Sequence, residues 1–313
     1  MDPLSEVLFT MRAETVLLAQ VEVRGRWAMR FPAYRHFKFG SVLEGNCWLW
    51  VEGSHERVHL HEGDCYLLTD GAPYCTASDL SAEPVDGVGL LSQGRCEDGI
   101  VRFGFGDTCT RVAGGRFTFP DEPAPLLLSL LPRLVHVPAG AAQTRQLQTV
   151  LELIGMETSR EMPGKATVAT SLSNMVLVQI LRAHLESAQE NAGWLGALTD
   201  KFIGPVLYAM HGDVARRWTL AGLASTAGMS RTAFAERFRR RVGKSPLAYL
   251  NGWRMILARA ALSHEGQSLS TVAARLGYAS DSAFSTAFKK AVGSSPGRFR
   301  QDALRPPSED VLV

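Results

Sequence analysis

GMSRTAFAERFRRRVGKSPLAYL, residues 228–250, and GYASDSAFSTAFKKAVGSSPGRFR, residues 277–300, state one pattern twice. Phe234, Phe238, Val242, Gly243, Ser245 and Pro246 recur fifty positions later as Phe284, Phe288, Val292, Gly293, Ser295 and Pro296. A short apolar pattern precedes each copy: Leu220, Leu223 and Ala224, answered by Leu269, Val272 and Ala273. Two copies make a duplicated supersecondary unit rather than a solenoid. In each, a first helix ends at a glycine, Gly228 or Gly277, where a left-handed residue closes it. Ser230 in the first copy, and Asp281 or Ser280 in the second, stand as N-caps of a second helix. The phenylalanine spacing buries one face of that helix. Gly243 and Gly293 stop it, and Ser-Pro starts the next helix. Two short helices around a glycine turn form a helix-turn-helix, whose second helix enters the DNA major groove.

The exposed side of each second helix fits that use. Arg231, Thr232, Glu236, Arg237, Arg239, Arg240 and Arg241, with Lys244 beyond, mark the first, Ser282, Ser285, Thr286, Lys289 and Lys290 the second. Arginine and lysine neutralise phosphate, arginine also reads guanine, and the hydroxyl residues reach either kind of group. A basic helix alone is more often a solvated face. The duplicated turn chemistry is what moves the balance towards DNA.

These stretches, within residues 200–303, resemble the DNA-binding domain of the AraC/XylS family of bacterial transcription regulators. The Gly-Tyr, Ala-Phe, Phe-Lys-Lys and Ser-Pro-x-x-Phe-Arg elements of residues 277–300 carry most of the likeness. The resemblance implies two helix-turn-helix units, about residues 220–241 and 269–292, joined by a linker helix near Pro246–Ser263. It puts base-contacting positions on Ser230, Arg231, Thr232, Ala235, Glu236 and Arg239. In the second unit they fall on Asp281, Ser282, Ala283, Thr286 and Lys289.

Charge divides the chain. The 313 residues carry a formal net charge of only +2. Residues 200–305 hold 17 Lys/Arg against 6 Asp/Glu, whereas residues 1–199 hold 16 against 23. A basic half beside an acidic half points to one nucleic-acid-binding domain and one of another kind. No apolar run has membrane-spanning length, and MDPLSEVL at the start is acidic rather than signal-like. Five irregularly spaced cysteines make no disulfide framework. The expectation is a cytoplasmic protein with reduced thiols and no membrane partner.

Ahead of the basic half, a helix pattern (Leu4, Val7, Leu8, Met11) precedes many short strand patterns. These fall at 15–23, 27–31, 37–43, 47–52, 57–60, 65–69, 101–105, 109–112 and 116–119, separated by Gly, Pro and Asp, as in an all-β sandwich or barrel. The segment VLEGNCWLWVEGSHERVHLHEGDCYLLTDGAPY, residues 42–74, with WAMRFP at 27–32, resembles the cupin barrel that serves many AraC-type regulators as sensor. The fold class expected is α+β and multidomain. A cupin-like barrel with flanking helices (1–140) comes first, then a helical dimerisation region (141–190) and a linker (191–199). The all-α DNA-binding domain (200–303) and a tail (304–313) complete it. Residues 126–136 and 141–162 read as helical, and 165–187 as a long helix apolar on two sides, one of them a homodimer seam.

Barrel aromatics at strand positions make a candidate ligand pocket: Trp27, Phe31, Trp48, Tyr66 and Tyr74, with His36 beside them. A metal is not expected, since Lys38 and Tyr74 fall where ligands are needed and His59 and His61 merely share a strand face. No cofactor is expected. Cys96 and Cys109, in Gly-rich charged surroundings, are the thiols placed to sense an oxidant. Expected partners are double-stranded operator DNA, a second copy of the chain, a small-molecule effector and, for an activator, RNA polymerase. The competing reading is a metal-dependent cupin enzyme fused to a DNA-binding domain.

Overall fold

The computed structural model describes residues 2–11, 14–34, 36–93, 100–118, 131–140, 144–158, 162–187, 194–264 and 267–303. Cys96, most of the expected 126–136 helix, residues 191–193 and the 304–313 tail lie outside them. The chain forms two packed units: residues 13–120 with 128–189, and a helical unit of residues 190–313 that also takes in residues 1–12.

In the first unit the strands are β1 (Glu14–Arg24), β2 (Ala28–Phe31), β3 (Phe37–Glu44), β4 (Asn46–Val51), β5 (Val58–His61) and β6 (Cys65–Leu68). After them come β7 (Tyr74–Ala77), β8 (Val85–Asp86), β9 (Ile100–Gly104), β10 (Cys109–Thr118) and β11 (Leu134–Val137). They build a six-stranded sheet ordered β11-β6-β3-β10-β1-β9 and a five-stranded sheet ordered β5-β4-β7-β2-β8. Pairings are antiparallel except β1 with β9 and β2 with β8. One core fills the space between the sheets. Val23, Val42, Tyr66 and Leu68 come from the larger sheet; Met29, Phe31, Cys47, Leu49, Val51, Leu60 and Tyr74 come from the smaller. In β4 the alternation that builds it is strict: Cys47, Leu49 and Val51 are buried while Trp48 and Trp50 are half-exposed on the outer face. Across β3 from Tyr66 sits Gly40, where a Cβ would come 2.4 Å from the tyrosine oxygen. Glycine there is what lets the ring lie across the strand.

The opposite face of the larger sheet carries buried Phe37, Phe39 and Phe117, the last two with ring centres 4.7 Å apart. To this unit belong the helices α2 (Gly87–Ser92), α3 (Thr144–Thr158) and α4 (Lys165–Ser187). α3 pairs with α4, and α4 crosses β1, β6 and β11. Ser173, Val176, Leu177, Ile180, Leu181 and Ala183 make its buried face, while Val168 and Met175 stay exposed.

Three sequence expectations change. Residues 134–136 are strand, not helix, because Leu134–Val137 completes the sheet edge beside β6. The two strands expected at 109–112 and 116–119 are one, since Ala113, Gly114 and Gly115 continue the ladder with β3. The linker expected up to residue 199 contains a short helix, α5 (Trp194–Ala197), with Trp194 and Leu195 buried.

The helical unit comprises α6 (Ile203–Gly212), α7 (Leu220–Thr226), α8 (Arg231–Val242), α9 (Pro246–His264), α10 (Leu269–Arg275), α11 (Asp281–Val292) and α12 (Pro296–Ala303). α7 with α8, and α10 with α11, are the two helix-turn-helix pairs. Thr219, Ser230, Ser268 and Ser280 cap them, each side chain accepting a backbone N–H of the first turn. Ser280 is therefore the N-cap of α11 and Asp281 its first helical residue. Gly243 and Gly293 end α8 and α11 at φ 82 and 86, a left-handed stop that other residues adopt only with strain. The duplication extends to packing. Phe234–Phe238 and Phe284–Phe288 are fully buried pairs, each with ring centres 5.7 Å apart.

A further helix, α1 (Pro3–Met11), packs on α6 and α9 of this unit. Val7 is buried there, and Glu6 Oε2 lies 2.8 Å from Nδ1 of the fully enclosed His211. The other ring nitrogen of His211 lies 2.8 Å from the Tyr249 hydroxyl.

Candidate nucleic-acid interface

With Phe234, Phe238 and Val242 inward, α8 turns residues 231, 232, 235, 236, 239 and 240 away from its core; the same offsets on α11 give 281, 282, 285, 286, 289 and 290. Arg231, Thr232, Glu236, Arg239 and Arg240 are exposed, as are Asp281, Ser282, Ala283, Thr286, Lys289 and Lys290; Ala235 and Ser285 are half-buried. The sequence-expected contact residues thus form two matching stripes. Both carry paired basic residues in the last turn, Arg239–Arg240 and Lys289–Lys290.

Their polar partners differ. Ser230 and Ser280 are occupied as caps, through bonds of 3.3 and 3.2 Å to the N–H of Ala233 and Ala283. Asp281 accepts a 2.6 Å hydrogen bond from Ser270, and the Thr286 hydroxyl donates back to the Ser282 carbonyl at 2.9 Å. Among the described residues no such ties hold Arg231, Arg239 or Arg240, so α8 presents longer and freer side chains.

Arg237 and Arg241, expected on the same exposed face, instead turn away from it to Asp200. Arg237 donates to Asp200 at 2.8 and 3.3 Å, and Arg241 at 3.1 Å. The Arg237 guanidinium also lies 4.6 Å from the Phe202 ring centre. Asp200 accepts the N–H groups of Phe202 and Ile203 at 2.9 and 3.1 Å, capping the start of α6. Burial alone raises its carboxyl, but the Arg237 hydrogen bond and the two backbone N–H groups prevail and hold it at about 2. Asp200 is the anchor that sequence reading misses: an isolated acid ahead of a helix carries no sign of which arginines reach it.

The barrel residues scatter. Phe31, Tyr66 and Tyr74 are core, with Phe31 and Tyr74 stacked at 4.7 Å. Trp48 stacks on His59 at 4.4 Å on the outer face of the smaller sheet and lines no interior space. Trp27 borders an open cleft of about 500 Å³ with Val23, Met29, Val85, Leu90 and Phe103. His36 is half-buried, and its imidazole is held at about 4 by burial and by Lys38 and Arg116. Cys109 is half-buried; burial, with Glu44 and Glu22, pushes its thiol up, the reverse of an activated thiol. Cys47, Cys65 and Cys75 are buried. Among the described residues no three His, Cys, Asp or Glu side chains gather as metal ligands, and no helix is long and apolar enough to cross a membrane.

Comparison with known proteins adds two family matches: Cupin over residues 2–186 and Helix-turn-helix domain over residues 223–302. A "Putative AraC-like transcription regulator" of Streptomyces lividans is 41% identical over 98% of this chain and all of its own length. The HTH-type transcriptional regulator MtrA of Neisseria gonorrhoeae is 31% identical over 89% of this chain and 91% of its own. Among solved structures, ToxT from Vibrio cholerae O395 aligns over 93% of this chain and 99% of its own at 14% identity and a TM-score of 0.37.

Proposed function

Because this chain belongs to the AraC-type transcription regulators, with a cupin domain ahead of its helix-turn-helix domain, we propose that α8 and α11 read operator DNA as a pair. The protein is a sequence-specific DNA-binding regulator. Its readers enter successive major grooves on one face of the duplex, about 34 Å apart. The observation that carries this reading is the matching exposed stripe on two equally capped helices. Arg231, Arg239 and Arg240 supply the base contacts of the first half-element. α11, with its tied polar residues, grips phosphate through Lys289 and Lys290.

The barrel is the sensor and takes a small-molecule effector. The protein works in the cytoplasm as a homodimer, for which exposed Leu153, Met156 and Met175 on α3 and α4 are the supporting surface. As an activator it would meet RNA polymerase. Gel shifts on the DNA upstream of its own coding region test the reading. Arg240→Ala should weaken binding by about 1–3 kcal/mol if it reads a base. Unchanged affinity and an unchanged salt slope would remove Arg240 from the interface.

A further inference from the structure

The two helix-turn-helix pairs are joined by more than α9. Residues 213–218 run as a strap from the end of α6 to Thr219, the cap of α7, and so belong in sequence to the first pair. The Val214 side chain nevertheless packs against the core of the second pair, which holds Val272, Leu276, Phe284 and Phe288. Next to it, the Ala215 carbonyl is seated against Gly277 in the turn between α10 and α11, so closely that a Cβ at position 277 would run into it. Gly277 is also left-handed, at φ 77, so the turn and the close approach both require glycine.

Arg254, on α9, clamps the strap in place. Its Nε and Nη2 donate to the Val214 carbonyl at 3.0 and 2.8 Å, and Nη2 also donates to the Arg216 carbonyl at 2.9 Å. The same guanidinium lies 5.8 Å from the ring centre of Tyr278, which meets Phe284 edge-on at 5.4 Å. The strap is braced from within as well. The Arg216 N–H donates to Asp213 Oδ1 at 3.1 Å, the Trp218 indole N–H donates to the Asp213 carbonyl at 2.9 Å, and the Arg216 guanidinium lies 4.2 Å from the Trp218 ring centre. A second connection beside α9 removes rotations that a single linker helix leaves open. A guanidinium fork fixes direction as well as distance.

We propose that the strap, clamped by Arg254 and seated on Gly277, sets the separation and rotation between α8 and α11. Arg254 and Val214 are then positioning residues that decide which spacing of two DNA elements the protein accepts. They act through the readers. The tolerance is narrow, because one base pair moves an element by about 3.4 Å along the duplex and about 35° around it. The proposal rests on the reading of α8 and α11 as a pair and names what holds the pair in register.

The test uses the full chain. The parent, Arg254→Met and Val214→Ala each select duplexes from a random DNA pool, and the spacing between the recovered elements is read. The parent should return one spacing. The variants should return the same two elements with spacings spread over neighbouring base-pair steps. With one base pair inserted into the duplex that the parent selects, the parent should lose about 10–100-fold in affinity, the worth of one good base contact, and the variants less than about 5-fold. Arg254→Lys, which keeps a donor for one carbonyl, should fall between. A merely structural role would lower affinity for every duplex alike and leave the ratio between spacings unchanged. If Arg254→Met does not fold, as read by circular dichroism, Val214→Ala and Arg254→Lys carry the comparison. Folded variants that keep the parent's single spacing and its full loss on insertion overturn the proposal and leave the paired reading intact. A parent that returns no fixed spacing defeats the paired reading itself, and the proposal with it.

Discussion

Asp200→Ala removes the group that ties the first reader to the helix ahead of it. Its carboxylate is 3% exposed and accepts hydrogen bonds from Arg237, Arg241 and the N–H groups of Phe202 and Ile203. The unfolded carboxyl titrates near 3.8 and the folded one at about 2. That difference is worth at most about 2 kcal/mol, at about 1.4 kcal/mol per pH unit. The arginines are a quarter to a third exposed, so solvent screening lowers it to about 1–2 kcal/mol. Loss of the α6 cap adds about 1 kcal/mol. Asp200→Ala should therefore lose about 2–3 kcal/mol at pH 7, and Asp200→Asn, which keeps an acceptor oxygen, about 1–2 kcal/mol. The sign with pH follows from the depressed folded value. The contribution is complete above about 4 and disappears as pH falls towards 2. Urea unfolding of the full chain, followed by helical circular dichroism at pH 7 and at pH 3, measures both. A loss within 0.5 kcal/mol of zero for Asp200→Ala at pH 7 would refute the anchor.

Lys289→Ala should weaken DNA binding evenly across sequences and lower the salt slope by about 1, as a phosphate contact does; loss confined to one operator base would make it a reader instead. Phe288→Ala, at a fully buried position, should cost about 3–5 kcal/mol by chemical unfolding, and a loss under about 1 kcal/mol would mean that the second pair is not packed as described. Glu6→Ala leaves buried His211 without one of its two partners and should speed amide hydrogen exchange across α1; exchange equal to the parent's would place the helix's hold elsewhere. Cys109 should alkylate more slowly at pH 7 than free cysteine, and faster labelling would restore it as an oxidant sensor.

The readers were legible because their signals are local. A serine cap, phenylalanines four apart and a stop glycine specify each helix without reference to the rest of the chain. The second cap fell on Ser280 rather than Asp281, which the two adjacent cap-forming residues left open. The barrel strands were legible where alternation was clean, as in β4. They failed where small residues mimic a turn, at Ala113–Gly115, and where leucines hide a strand edge, at Leu134. Strand β7 at Tyr74–Ala77 was missed because four residues carry too little periodicity. Tertiary facts were not legible at all. Nothing in residues 3–11 announces that α1 packs on α6 and α9, and nothing near Asp200 names Arg237 or Arg241 as its partners. Of the pocket residues, aromatic identity was visible but facing was not. Trp48 turned outward.

Selection of bound sequences from a random DNA pool, with the parent chain and with a Lys289→Ala, Lys290→Ala double variant, tests the paired readers most directly. The account predicts two short elements about one helical turn apart, with the element nearer α8 retained by the variant and the other weakened. A single undivided element, or loss of both elements together, would contradict it.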